Sequence, residues 1–388
     1  MALYSHDAQG LGHLRRNLAI AGALSRLRPN PDLLMLTGAA EVTALPRPSR
    51  CDTVLLPAVV KSATGTYSAR HLTLGLEDLL SVRTAILRAA LSAFRPDLLI
   101  VDKHPRGAFG ELETALPALA DSGTRIVLGL RDVLDDPAQV RWEWRADRGT
   151  EALVRWYDEI WVYGDPAVCD PTADLELPPA LAARVVHLGY LGRGQLGAAP
   201  PRRDSAPYVL GLVGGGGDGR ELALAFARAH YPAGHRGVLV TGSQMPAEDR
   251  AAVRRLARRR RDLELLDFVG DLDSRLDGTS AVVTMGGYNS VCEVLGRGLP
   301  ALVVPRVRPR REQLIRAQAL AGAGLLDVLP PDRLGGPALT EWLAAAVRRP
   351  RRLGTGVRLD GLRRLPDRAR DLLAGNTAGL TAREAVGA

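Results

Sequence analysis

The sequence predicts an α/β chain of two similar domains facing across a cleft, and three observations carry that prediction. Short apolar runs alternate with amphipathic helical stretches along nearly the whole length, the pattern of helices packed on largely parallel sheets. The alternation starts twice, each time as a strand followed by a glycine loop: residues 2–6 lead into Gly10-Leu-Gly12, and residues 208–213 lead into Gly214, Gly215, Gly216 and Gly217. The 388 residues also exceed what one hydrophobic core usually holds.

Taken in order, residues 1–190 read as the first domain. Its strands are expected at 2–6, 33–36, 53–56, 98–101, 125–130 and 159–163. Its helices follow the first glycine loop, where Leu14, Leu18, Ala21 and Leu24 share a face, and cover 76–94 and 109–120. Thr64-Gly65-Thr66-Tyr67 reads as a loop, functional or merely mobile. Residues 191–207, rich in Pro, Gly and Arg, read as a linker. The second domain, 208–350, has strands expected at 208–213, 237–240, 263–268, 281–283 and 301–304, with a helix over 220–229. The tail, 351–388, is expected to carry a helix over 357–373 that packs back on the first domain, with the last dozen residues fraying.

Composition narrows the function. With 46% hydrophobic and 24% charged residues the chain is ordinary for a globular protein. The net charge of +8 invites a nucleic-acid reading, but Lys61 and Lys103 are the sole lysines and the arginines are spread over the whole chain. Only 4% of residues are aromatic, poor material for base stacking, so no nucleic-acid partner is expected. Cys51, Cys169 and Cys292 are widely spaced and show no CxxC or Cys/His pairing, which argues for a reducing, cytoplasmic setting without disulfides or zinc. No signal-like segment opens the chain, and no apolar run approaches a membrane span.

The most informative stretch is Met285-Gly-Gly-Tyr-Asn-Ser-Val-Cys-Glu293, between a strand and the helix that ends near Gly296. Gly286 and Gly287 permit a sharp turn. Tyr288 and Asn289 then start a helix whose N-terminus suits an anion such as a diphosphate. Glu293 lies one turn beyond Asn289 on the same side, and a carboxylate there suits the vicinal hydroxyls of a ribose. Gly214, Gly215 and Gly216 open a second loop stripped of side chains, either a backbone approach to phosphate or a flexible turn. Arg306, Arg308, Arg310 and Arg311 can neutralise a diphosphate, and Glu312 with Gln313 can bond sugar hydroxyls or cap the next helix. Asp271-Leu-Asp273 matches a metal-binding DxD pattern, but it precedes a short helix and reads as a cap, so no metal is expected.

Gly12, a candidate donor-binding residue, and His13 begin the first helix. The helix dipole disfavours imidazolium there, so His13 is the candidate catalytic base, with a capping role as the alternative. Asp102 ends a strand on the same sheet edge and either polarises His13 or makes loop hydrogen bonds. The Gly10-Leu-Gly12 loop fails the dinucleotide fingerprint, because Arg15 holds the third glycine position and no acid ends the second strand. No GxxxxGK[ST] motif is present, and the second half has no lysine for a pyridoxal-phosphate Schiff base.

With these residues in hand, the chain resembles glycosyltransferases of the GT-B type, with a C-terminal half like family 28, typified by a peptidoglycan N-acetylglucosaminyltransferase. It also resembles a bacterial group of predicted glycosyltransferases through Tyr4-Ser-His-Asp7 and Leu128-Gly-Leu-Arg-Asp-Val-Leu134. The resemblance implies two Rossmann-like domains facing across a cleft, the second holding a nucleoside-diphosphate sugar as co-substrate, with no cofactor. It implies that Glu293 binds the ribose, the turn Gly286–Asn289 the diphosphate, Glu312 and Gln313 the sugar, and the Phe268-Val269 backbone the base. His13 would lie where donor and acceptor meet. The acceptor is expected to be a small molecule, or lipid-linked with a peripheral membrane contact; the first loop lacks the longer glycine-rich pattern of the lipid-using enzyme. The expected reaction is inverting and metal-independent. A nucleotide-sugar 2-epimerase and a non-catalytic nucleotide-sugar-binding protein are the alternatives.

Overall fold

The computed structural model describes residues 1–7, 11–61, 66–192, 206–270, 272–352 and 356–375. Gly10, Thr64, Gly65, Asp271, most of the expected linker and the last dozen residues lie outside the described residues.

The chain divides into two compact units. One comprises Met1–Pro166, Asp170–Tyr190 and the chain from Asp360 onward; the other comprises Ala167–Cys169 and Leu191–Leu359. The first is built on strands β1 (Ala2–Ser5), β2 (Leu33–Thr37), β3 (Cys51–Leu55), the hairpin β4 (Val59–Lys61) and β5 (Tyr67–Ala69), then β6 (Leu98–Asp102), β7 (Arg125–Arg131), β8 (Glu159–Tyr163) and β9 (Val185–His187). Its helices are α1 (Gly12–Leu24), α2 (Leu76–Phe94), α3 (Leu116–Asp121), α4 (Pro137–Ala146), α5 (Gly149–Trp156) and α6 (Pro179–Ala182). Seven strands pair in parallel in the order β3-β2-β1-β6-β7-β8-β9. Strands β1, β6 and β8 are buried along their whole length, as strands covered by helices on both faces must be.

The second unit holds β10 (Tyr208–Leu212), β11 (Arg236–Val240), β12 (Leu263–Leu266), β13 (Thr279–Thr284), β14 (Ala301–Val303) and β15 (Asp327–Val328). Its helices are α7 (Arg220–Arg228), α8 (Ala247–Ala257), α9 (Leu272–Asp277), α10 (Tyr288–Gly296), α11 (Glu312–Gly322) and α12 (Gly336–Ala346). The parallel order is β12-β11-β10-β13-β14-β15. A last helix, α13 (Gly361–Leu373), packs against α1 in the first unit.

Both sheets reverse their strand order at the first strand, which has β2 and β6 as neighbours in one unit and β11 and β13 in the other. Beyond the carboxyl ends of strands at such a reversal, the connecting loops diverge and leave a crevice for a ligand. The register places the ends level, with Tyr4 opposite Val101 and Leu212 opposite Thr284. Each unit therefore sets two neighbouring strand ends side by side on one edge, β1 and β6 in the first and β10 and β13 in the second.

The structure differs from the sequence reading in several places, among them the tail helix, which starts at Gly361 and not at 357. The helix expected over 109–120 is broken, with Phe109 and Gly110 at φ 59° and 78°. The chain turns there because Glu111 is drawn into a buried cluster: Arg83 donates to it through Nε (2.5 Å) and Nη2 (2.7 Å), and the Tyr4 hydroxyl also donates to it. Tyr67, read as loop, lies in the β4–β5 hairpin. The strand expected over 263–268 stops at Leu266, leaving Phe268 and Val269 in the loop after it. Leu191 and Gly192, read as linker, pack on α10, where a side chain on Gly192 would meet the Cys292 carbonyl at 2.6 Å.

Candidate functional site

In the first unit, His13 sits in the opening turn of α1, and its Nδ1 meets Asp102 Oδ2 at the end of β6. Arg16, one helical turn on, binds the same carboxylate through Nε to Oδ1 (3.1 Å) and Nη2 to Oδ2 (2.6 Å). Asp102 and Arg16 are buried, whereas the His13 side chain keeps 14% exposure. Burial alone would raise the Asp102 pKa, but the charge of Arg16 and the hydrogen bonds from His13 and Arg16 outweigh it and hold the carboxyl well below its usual range. His13 Nδ1 faces two groups, Arg16 Nη2 at 2.9 Å, which only donates, and the ionised Asp102 carboxylate, which only accepts. The carboxylate contact is the shorter and sets the proton on Nδ1, donated to Asp102. That leaves the Nε2 lone pair as the proton acceptor. Burial lowers the His13 pKa, only partly countered by Asp102, so the ring is neutral near pH 7.

Two more histidines surround it. His6 stacks tilted on His13 with centroids 4.6 Å apart, and His104 meets His6 edge-on at 5.0 Å. Burial, and then the neighbouring His13 and His104, push the His6 pKa well below its usual value. Gly12 is exposed, and a side chain there would meet nothing within 4 Å.

In the second unit, the two glycine loops do different work residue by residue. Gly216, at φ 95°, is wedged against the β11–α8 loop, where a Cβ would lie 2.2 Å from the Thr241 carbonyl. Gly215 accepts from the Gln244 N–H (2.8 Å), which fixes the loop. Gly214 (φ 65°) and Gly217 are exposed and face open space. Gly286, at φ 80°, lets the chain pass Val303, whose Cγ1 would lie 2.6 Å from an added Cβ. Gly287 is the N-cap of α10, and no acidic residue lies in the helix's first turn. Two side-chain-free backbones thus flank one helix N-terminus, an arrangement that binds phosphate.

Three arginines hold this site together, and two of them, Arg297 and Arg316, were missed by the sequence reading. Arg306 donates to Asp218 (3.1 Å) beyond the glycine run and to Glu312 (2.5 Å) on α11, while its backbone N–H donates to Gln313 Oε1 (2.9 Å). Arg316, buried on α11, donates to the Gly286 carbonyl (3.2 Å) and lies 5.6 Å from the Tyr288 ring centroid. Arg297 donates to Glu293 (2.7 Å) one turn back along α10. The signal for two of them was spacing, since Arg297 and Arg316 stand four residues after Glu293 and Glu312. In a chain so rich in arginine the spacing had no contrast.

These bonds join Asp218, just beyond the glycine run, to Glu312 and Gln313 through Arg306, and tie Gly286 to α11 through Arg316. The Glu312 Oε2 atom is buried and has no hydrogen-bond partner. The Tyr288 side chain is buried and its hydroxyl accepts from the Leu191 N–H (3.3 Å), so at the turn it offers backbone alone. Asn289 is half-buried on the first turn. Phe268 stands 38% exposed beside Val269 beyond β12, and Arg310 is half-buried. Asp273, read as a helix cap, instead accepts from Arg297 (3.0 Å), because that guanidinium is the cation facing the start of α9. Among the described residues no three of His, Cys, Asp and Glu are arranged to hold a metal ion.

No family model matches the chain. Among curated proteins it is similar to UDP-N-acetylglucosamine--N-acetylmuramyl-(pentapeptide) pyrophosphoryl-undecaprenol N-acetylglucosamine transferases. That of Brucella anthropi is 30% identical over 178 residues, covering 43% of this chain and 48% of the relative. That of Rhodopseudomonas palustris is 30% identical over 209 residues, 50% and 56% of the two chains. The chain thus spans about half the length of the curated relatives it matches. Among solved structures it resembles CalG4, the calicheamicin glycosyltransferase (TM-score 0.58, 19% identity, 98% of both chains). It also resembles Acinetobacter baumannii MurG (0.51, 15%, 99% of this chain and 97% of that one). A Listeria monocytogenes protein assigned as a UDP-N-acetylglucosamine 2-epimerase matches as well (0.60, 12%, 96% of both). The chain has the GT-B fold of two Rossmann-like domains, and its sequence resembles the family 28 glycosyltransferases.

Proposed function

We propose that this protein transfers a sugar from a nucleoside-diphosphate sugar to a hydroxyl or amine of a small-molecule acceptor, with inversion and without a metal. The observation that carries the reading is the strand reversal of the second unit, where two glycine loops meet the N-terminus of α10 with Glu293 one turn behind. That set suits a diphosphate and its ribose, with Glu312 and Gln313 for the donor sugar and the Phe268-Val269 segment for the base. Arg306 and Arg310 supply positive charge for the departing diphosphate. In the first unit His13 Nε2 takes the acceptor proton as the acceptor attacks the anomeric carbon, and Asp102 stabilises the imidazolium that forms. The curated relatives' names include a lipid-linked acceptor; the same chemistry would serve it, with the protein at a membrane surface from the cytoplasmic side.

The epimerase reading has one supporting observation, the structural likeness to the Listeria protein. Product analysis with UDP-, TDP- and GDP-sugars separates the readings: an epimerase changes the donor with no acceptor present. Under the transferase reading, His13→Ala lowers kcat about 10²- to 10⁴-fold, the usual worth of a general base, and leaves nucleotide affinity unchanged. Undiminished transfer by that variant would remove His13 from the role.

A further inference from the structure

Glu293 is not alone in its corner of the second unit. The Arg297 guanidinium, 4% exposed, faces three carboxylates at once: Nε donates to Asp277 (2.7 Å), Nη1 to Glu293 (2.7 Å) and Nη2 to Asp273 (3.0 Å). Asp277 and Glu293 are largely buried, at 9% and 13% exposure, and Asp273 is 30% exposed. Of the neighbouring arginines, Arg351 donates to the backbone carbonyls of Asp277 and Thr279, Arg275 donates to Glu264, and Arg316 donates to the Gly286 carbonyl. Fully ionised, the three carboxylates would set three negative charges on the one guanidinium of Arg297 in a partly desolvated site, which is costly.

A shared proton resolves the conflict. Glu293 and Asp273 sit on the two terminal nitrogens of one guanidinium, so their carboxyl groups lie close together, and sharing a proton between them costs less than ionising both. Burial first, then the charge of Asp273, push the Glu293 pKa up to about 7 against the pull of Arg297. The deeper of the two acids is therefore the one that keeps the proton near neutral pH.

We propose that Asp273 is a positioning residue of the donor site, occupying the place on Glu293 that ribose hydroxyls take and holding one proton there that nucleotide binding expels. The proposal rests on the reading of Glu293 as the ribose carboxylate. Ribose hydroxyls donate, and a carboxylate accepts two such bonds where a carboxylic acid accepts fewer. Binding thus favours ionised Glu293. The balance is simple: protonated protein plus nucleotide gives the complex plus one proton delivered to solvent, with no other bond made or broken. Affinity then falls with acidity, by up to about tenfold per pH unit once Glu293 is mostly protonated in the unbound protein.

Calorimetric titration of the full chain with UDP, TDP and GDP at pH 6.5, in two buffers of different ionisation enthalpy, counts the protons released. Asp273→Asn is the comparison: the amide donates to Glu293, which then ionises beside Arg297. The nucleotide's own phosphate ionisation is common to both proteins and cancels. The difference in release, wild type minus Asp273→Asn, should exceed half a proton, roughly what a group with a pKa near 7 yields at that pH. The affinity of Asp273→Asn should also change less between pH 5.5 and 8. Equal release from both proteins overturns the proposal and leaves the nucleotide site standing. Failure of the wild type to bind any of the three nucleotides overturns the site reading, and the proposal with it.

Discussion

At the scale of single residues, the His13 pair is the part of the first unit that chemistry singles out. Asp102 sets the tautomer and raises the proton affinity of a ring that burial would otherwise depress. In Asp102→Asn that support is lost, so the His13 pKa falls further and the acid limb of the kcat/KM profile moves to lower pH. At the same time kcat drops, because the imidazolium has lost its counter-charge; about 10²-fold or more is expected. A pH–rate profile measures both, and a wild-type profile in the variant would mean that Asp102 is merely structural. His13 and Asp102 were legible because a helix start and a strand end on one sheet edge must converge. Arg16, Arg297 and Arg316 were not. Each matters through a buried partner brought close by folding, and a count of scattered arginines does not distinguish a buried guanidinium from a solvated one.

At the scale of elements, the glycine run 214–217 separates two demands that look identical in sequence. Gly216 is a packing residue: its φ of 95° and the Thr241 carbonyl 2.2 Å from a would-be Cβ leave no room for a side chain. Gly216→Ala should therefore cost on the order of 1–3 kcal/mol from backbone strain alone, with more from the clash, seen as a lower melting temperature. Gly217 faces open space and has no such strain. Gly217→Ala should melt like the wild type yet bind nucleoside diphosphates more weakly, because its methyl group enters the space a phosphate would fill. If Gly217→Ala binds normally, that loop does not touch the ligand. The main strands and the 76–94 helix were legible from apolar periodicity. The 109–120 helix was misread because its pattern is helical while Glu111 is pulled inward by Arg83, a contact 28 residues distant that no local window contains. The short strands β9 and β15 and the helices α4 and α5 offer too few apolar positions for a period to emerge.

At the scale of the whole molecule, the most consequential element is the last one. Helix α13 buries Leu362, Leu365, Ala369 and Leu372 in the first unit. Arg368 donates to the buried carboxylate of Glu159 (2.9 Å), which also accepts from the Trp161 indole (2.7 Å). The helix packs on α1, the helix that carries His13. Each buried leucine stabilises by roughly 1.5–3 kcal/mol, so losing three approaches the 5–15 kcal/mol that typically holds a domain together. Removing residues 360–388 should therefore loosen the first unit around α1, while the proposed nucleotide site of the second unit, whose residues lie within 206–352, persists. Hydrogen exchange reads the first effect as lost protection of amides 14–24, and calorimetry with nucleoside diphosphates reads the second as unchanged affinity. Transfer should vanish in the same protein, because a His13 no longer held against Asp102 cannot keep its tautomer or its aim. Full protection of α1 after the truncation would show that the β1–β2 framework alone holds the helix. Loss of nucleotide binding would instead mean that α13 serves both units.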